Sequence, residues 1–226
     1  MPAQPEILRT TEGDFPLQEF HLPLAGREWT VLHTEVILDR ADEERFFRER
    51  LERVPYGVAL WPAAIALAYE LSHRGEQLAG RTVLELGAGT GLPGIVAASL
   101  GARVAQTDRH ELALHVCRLN GERNGVRGVE HRQVDWTEWT DPERYDFIIG
   151  SDILYAERIH PALRRIFESN LAQGGRVLLA DPLRAPCIRF MEGLEADGWE
   201  VRMTRWDLGD EERTRVCGVF EVGRGT

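Results

Sequence analysis

Residues 83–94 read Val83-Leu84-Glu85-Leu86-Gly87-Ala88-Gly89-Thr90-Gly91-Leu92-Pro93-Gly94. Thr82–Leu86 is a short apolar segment containing one acid, and it stops at three closely spaced glycines. A helical pattern then starts at Leu92 and runs through Ile95, Val96, Ala97 and Ala98. Strand, glycine turn and helix in that order form the nucleotide-binding corner of a doubly wound sheet. Glycine carries no Cβ, so a ligand can lie directly against the backbone there.

Two ligands compete for such a corner. Gly89, Gly91 and Gly94 have the spacing of a dinucleotide fingerprint, which would imply NAD(P) and an oxidoreductase. That fingerprint needs its first glycine at the strand end, however, and the strand end is Gly87; counted from there, the third glycine falls at the wrong offset. Gly87-Ala88-Gly89-Thr90-Gly91 preceded by Glu85 also reads as a loop for S-adenosyl-L-methionine. This molecule has no phosphate for a helix N-terminus to hold, and its α-ammonium and sulfonium suit a nearby carboxylate. The register favours the methyl donor.

Outward from this corner, strands and helices alternate. Strands are expected at Arg103–Gln106, Val129–Val134, Tyr145–Gly150 and Arg176–Ala180. Helices are expected at Pro62–Leu71, His110–Asn120, Pro161–Leu171 and Ala185–Ala196. Trp199–Trp206 and Arg215–Val222 read as a terminal antiparallel pair. The expected fold is α/β, a Rossmann-like seven-stranded, mostly parallel sheet with an antiparallel terminal strand. Residues 1–54 are an N-terminal β/α extension, with strands and turns over Pro5–Leu38 and an amphipathic helix over Asp42–Val54. Residues 55–226 form the main domain.

Composition narrows the partners. The 226 residues carry a net charge of −10, which disfavours general nucleic-acid binding. All 27 basic residues are arginine; the chain has no lysine. Cys117, Cys187 and Cys217 are scattered, with no disulfide or zinc spacing, which fits a reducing compartment. The N-terminal residues have no leader pattern, and no apolar run approaches membrane-spanning length. A soluble, cytoplasmic protein without membrane partners is expected, and nothing in the pattern demands more than a monomer. His110, His115, His131 and His160 have neither triad nor metal spacing.

In open α/β sheets the ligand lies beyond the carboxyl ends of the strands. Asp108 ends the second strand about twenty residues past the glycine loop, where an acid holds ribose hydroxyls or caps the next helix. Asp135-Trp136 ends the third, as an adenine acceptor and ring cover or as a loop acid and a core tryptophan. Gly150-Ser151-Asp152-Ile153-Leu154-Tyr155 ends the fourth, where an acceptor would meet the donor. There Asp152 can hold an ammonium and Tyr155 can wall the channel, or the two can be a cap and a packed ring. Trp61 leans over the ligand or staples the following helix into the core.

Together these motifs resemble the seven-β-strand protein lysine methyltransferases of methyltransferase family 16, from about Val54 to Val222. The resemblance is carried by Leu60-Trp61-Pro62-Ala63-Ala64, by Gly80 to Gly91, by Thr107-Asp108-Arg109, by Asp135-Trp136, and most specifically by the D-x-x-Y motif Asp152 to Tyr155. It implies S-adenosylmethionine contacts at Trp61, Gly87, Ala88, Gly89, Asp108, Trp136 and Ser151. It implies that Asp152 and Tyr155 border an acceptor lysine. The glycine loop is similar to that of the Hsp70-type branch. Pro62 and Ala180-Asp181-Pro182 are more similar to the branch acting on the electron-transfer flavoprotein β subunit. The resemblance therefore carries the acceptor type and not the substrate protein. A small-molecule amine methyltransferase and a non-catalytic module of the same fold stand as alternatives.

Overall fold

Two hairpins precede the glycine corner. The first pairs β1 (Ile7–Thr10) with β2 (Gly13–Pro16), and the second pairs β3 (Gln18–Leu24) with β4 (Arg27–His33). Ala25 and Gly26 have φ of 53° and 72°, the mirror-image turn that matches the twist of a hairpin. The computed structural model describes residues 6–10, 13–37, 41–44, 56–209 and 214–225. Residues 41–44 are helical; the rest of the helix expected over 42–54 lies outside the described residues.

Beyond them come helix α1 (Pro62–His73), β5 (Thr82–Leu86), α2 (Leu92–Ser99), β6 (Arg103–Asp108), α3 (Glu111–Arg123), β7 (Glu130–Gln133) and β8 (Tyr145–Ser151). Then follow α4 (His160–Asn170), β9 (Leu171–Asp181), α5 (Ala185–Ala196), β10 (Trp199–Gly209) and β11 (Thr214–Arg224). The seven-stranded sheet has the order β10-β11-β9-β8-β5-β6-β7. Strand β11 runs antiparallel to both its neighbours, and the pairs from β9 to β7 are parallel. The order reverses at β5, which makes its carboxyl end the switch point where ligands bind in such sheets.

The pleat sorts side chains between two cores. Val83, Val104, Ile149 and Leu178 face α1 and α2. Leu84, Leu86, Ile148, Val177 and Leu179 face Leu163, Ile166 and Phe167 of α4 and Phe190, Met191 and Leu194 of α5. Strand β9 begins five residues before the expected Arg176. Helix α4 ends at Asn170, and Leu171 already pairs with Tyr145, ahead of an irregularity in register.

The N-terminal extension is packed into the first core: Leu22, Leu24, Trp29 and Val31 belong to the cluster that α1 covers. Two side chains fasten it. Asn120 accepts from the Leu32 N–H (2.6 Å) and donates to the Leu32 carbonyl (3.0 Å) and to the Thr90 carbonyl in the glycine loop (2.8 Å). Asn124, one turn on, accepts from Thr30 N–H and donates to Thr30 O. The two amides extend the ladder of β4 across to α3. Asn120→Ala would leave three buried backbone groups unpaired, so it is expected to cost about 2–4 kcal/mol. That lowers Tm by about 5–15 °C. A melt within two degrees of wild type, by circular dichroism (about the smallest shift a 1 kcal/mol loss produces), would contradict this bridging role.

Candidate active site

The loop after β5 turns through left-handed glycines: φ is 64° at Gly87 and 59° at Gly89. A Cβ on Gly87 would meet Ile153 Cγ2 at 2.8 Å and the Trp136 ring at 3.2 Å, and one on Gly89 would meet the Gly57 carbonyl at 2.9 Å. The loop is therefore overlaid by three segments that converge on it. Segment 56–60 is held there by Thr34 and Ile37, whose N–H groups donate to Val58 O and Leu60 O. Gly57 was not foreseen from sequence; it has no motif, and its position comes from that pairing.

Asp108, at the end of β6, is buried and accepts from Gly89 N–H (3.2 Å) and His110 N–H (2.9 Å). Burial raises its pKa, and those two donors oppose the rise. Each oxygen retains a lone-pair direction. The Asp108 carboxylate thus lies beside the glycine loop and also braces the start of α3. Trp136 is half-buried against Gly87, and its Nε1 is buried with no hydrogen-bond partner among the described residues. Trp61 is half-buried at the start of α1, packed with Ile37 and Ala59. Ser151 is half-buried at the end of β8.

Three of the expected contact residues have partners within the protein. Glu85, read from sequence as a carboxylate suited to the ligand's cations, is 1% exposed and lies beneath the loop. It shares the face of Val83, so the pleat turns it toward α2. There it accepts from Gln106 Nε2 (2.6 Å) and from the Gly94 N–H. Gln106 Nε2 also donates to Gly91 O, which ties the carboxyl to the loop from below. Ala88 is likewise turned inward and buried, with its N–H given to Thr107 O. Asp135 is exposed, and its Oδ1 accepts from both Thr137 N–H and Thr137 Oγ1, capping a short helical turn.

Burial pushes the Glu85 pKa up to about 8 from 4.5, against the opposing Gln106 and Gly94 hydrogen bonds. A carboxyl whose pKa is higher folded than unfolded binds its proton more tightly in the folded state. Its stabilisation is complete below pH 4.5 and is lost as pH rises toward 8. Glu85→Gln is therefore expected to keep the fold and to flatten the decline of Tm across this window, measured by thermal melts. Parallel wild-type and variant curves would contradict a neutral Glu85.

The other half of the site lies where β8 and β9 end. Asp152 adopts φ 57° and donates its N–H to Ala180 O. Its carboxylate is 9% exposed and bonded by both terminal nitrogens of Arg184. Burial raises its pKa, and Arg184 opposes this. Asp181 beside it is fully buried; its Oδ1 accepts the Arg184 N–H, and burial together with Asp152 pushes it up to about 7. Tyr155 is 57% exposed at the rim. Asp181 was noticed in the sequence only as part of a loop resemblance and Arg184 not at all, and no sequence spacing pairs them with Asp152.

Residues 42–195 match the family described as lysine methyltransferase. Protein N-lysine methyltransferase METTL21A of Xenopus tropicalis is 42% identical over 135 residues, which is 57% of this chain and 62% of that protein. The matched stretch thus spans less than two thirds of that relative. Histone-arginine methyltransferase METTL23 of Xenopus laevis is 40% identical over 106 residues, 44% of this chain and 45% of that one. Among solved structures, magnesium protoporphyrin IX methyltransferase of Synechocystis PCC 6803 with bound SAM shares the fold, with a TM-score of 0.55 and 18% identity, over 72% of this chain and 78% of that chain.

Proposed function

We propose, on the premise that this chain belongs to the lysine methyltransferase family, that it transfers a methyl group from S-adenosyl-L-methionine to a lysine side chain of a protein. The observation that carries this reading is the meeting, at one switch point, of a ligand loop and a buried acceptor carboxylate on adjacent strands. The residues fit the cofactor. Asp108 keeps a free lone-pair direction on each oxygen for a pair of ribose hydroxyls. The Trp136 ring forms a wall over Gly87 with a spare indole N–H, and Gly87 and Gly89 allow close backbone approach.

When bound, the cofactor supplies the reactive methyl on a sulfonium. The chain supplies binding and orientation. Asp108 and the glycine loop hold the donor, while Glu85 and Gln106 keep that loop in shape. Asp152 accepts a hydrogen bond from the acceptor amine and aims it. The amine must be neutral to react, yet free lysine has a pKa of about 10.4. Desolvation of the amine as it docks favours the neutral form. Tyr155 borders the entrance.

Calorimetry with S-adenosylhomocysteine tests donor binding directly. Binding is expected, and Asp108→Ala should weaken it roughly 10–100-fold through loss of two charge-assisted hydrogen bonds. Binding of NADH in its place would overturn the reading. We also infer a cytoplasmic monomer without nucleic-acid partners, a reading supported by three buried free thiols and the net charge of −10.

A further inference from the structure

The acceptor carboxylate is already engaged. Asp152 is bonded to Arg184, whose Nη2 also donates to Glu43 Oε1 at 2.8 Å. The other oxygen of Glu43 accepts from Arg215 at 2.5 Å. These residues come from the helical turn at 41–44, the β8 end, the β9–α5 connection and β11, and their side chains are only 9–23% exposed. We propose that Arg184 is a positioning residue for the transfer, braced by Glu43 and Arg215, which neutralises Asp152 so that it orients the acceptor amine without holding the amine's proton. This rests on the reading of Asp152 as the acceptor residue.

A lone buried carboxylate facing a lysine would stabilise the ammonium and raise its pKa, which is the wrong direction for a nucleophile. A carboxylate paired with a guanidinium is neutral as a unit. It still has lone pairs to spare, since an ionised carboxyl offers about four acceptor sites and Arg184 uses two. It can therefore accept from a neutral amine, and the adjacent guanidinium disfavours protonation of that amine. Arginine suits this role because it keeps its charge when buried. Among the described residues, the groups facing Asp152 are Glu43, Asp181, Arg184, Cys187, Arg215 and Cys217. Among the described residues, loss of Arg184 would leave three carboxyls sharing the site with one cation. The backbone agrees: Asp152 and Leu183 both hold left-handed φ, 57° and 64°, in the two loops that bring this pair together. Strain of this kind persists where the surroundings fix a geometry.

The test measures initial rates of labelled methyl transfer into lysate protein. The protein is kept sub-saturating so that rates follow kcat/KM, from about pH 6 to about pH 10. Arg184→Met should lower the rate at pH 7 roughly 10–100-fold and move the profile to higher pH, because both Asp152 and the acceptor amine then hold protons more tightly. Arg184→Lys should restore part of the rate, and Glu43→Gln should shift the profile less. Affinity for S-adenosylhomocysteine should be unchanged in all three, which separates positioning from misfolding. A profile that does not move in Arg184→Met, or a rate that rises at pH 7, overturns the proposal while Asp152→Ala stays inactive. If Asp152→Ala is itself active, the reading of Asp152 fails, and this inference with it.

Discussion

Asp152→Ala is expected to reduce methyl transfer at least about 100–1,000-fold while leaving cofactor affinity within about threefold of wild type. The carboxylate stands at the end of β8, and the proposed donor contacts come from β5, β6 and the Trp136 turn. Removing it deletes the group proposed to aim the acceptor and leaves the side chain of Asp108 and the glycine loop in place. The loss should appear in kcat/KM with little change in S-adenosylhomocysteine binding, a split that unfolding cannot produce. Arg184 would keep Glu43 and lie 3.7 Å from Asp181, so its charge would not be stranded. Asp152→Asn should be nearly as impaired, because an amide cannot pair with the guanidinium through two accepting oxygens. Transfer within threefold of wild type in either variant (far less than the loss of one positioned contact produces) would remove Asp152 from the mechanism.

The second large effect concerns stability. Gly94 is buried in the first turn of α2, where exchange of glycine for alanine ordinarily favours a helix by about 1 kcal/mol. Here the sign reverses. A Cβ at Gly94 would fall on Glu85 Oε2 and lie 2.5 Å from Gln106 Nε2. Neither atom is free to move, because Gln106 already bridges Glu85 and the Gly91 carbonyl. Either the helix shifts or the buried pair breaks. Gly94→Ala should therefore cost roughly 3–5 kcal/mol and about 10–15 °C in Tm. Gly193 in α5 is the control. A Cβ there meets only Arg164 Nη2 at an ordinary 3.6 Å, so Gly193→Ala should be neutral or stabilising by up to about 1 kcal/mol. Equal melts for the two variants would show that Glu85 and Gln106 do not form a rigid floor under the loop.

Legibility from sequence followed the range of the interactions. Strand β5, its loop and α2 were readable because a buried parallel strand, a left-handed turn and a helix start each leave a local pattern over residues 82–99. The acids at the strand ends were found for the same reason. Their roles were harder. The sequence reading of Glu85 used its position along the strand and not its face; the alternation with Val83 turns it under the loop. Asp135 carried a readable signal too, a threonine two residues on, which is the pattern of a side chain capping its own backbone. Arg184 and Glu43 had no such signal. They meet across 141 residues, and Asn120 meets Leu32 across 88. Contacts of that kind are decided by the completed fold. Gly57 lies over Gly89 only because residues 34–37 pair with 58–60.

Methyl transfer to protein lysine can be read out in a single experiment. The chain is incubated with labelled S-adenosylmethionine and host-cell lysate, with Asp108→Ala in parallel. Protein is separated from small molecules and hydrolysed to amino acids. The chain contains no lysine of its own, so methyllysine side chains must come from another protein. The account predicts label in discrete protein bands, recovered as methyllysine and strongly reduced in the variant. Label confined to the small-molecule fraction, or recovered as methylarginine, would contradict it.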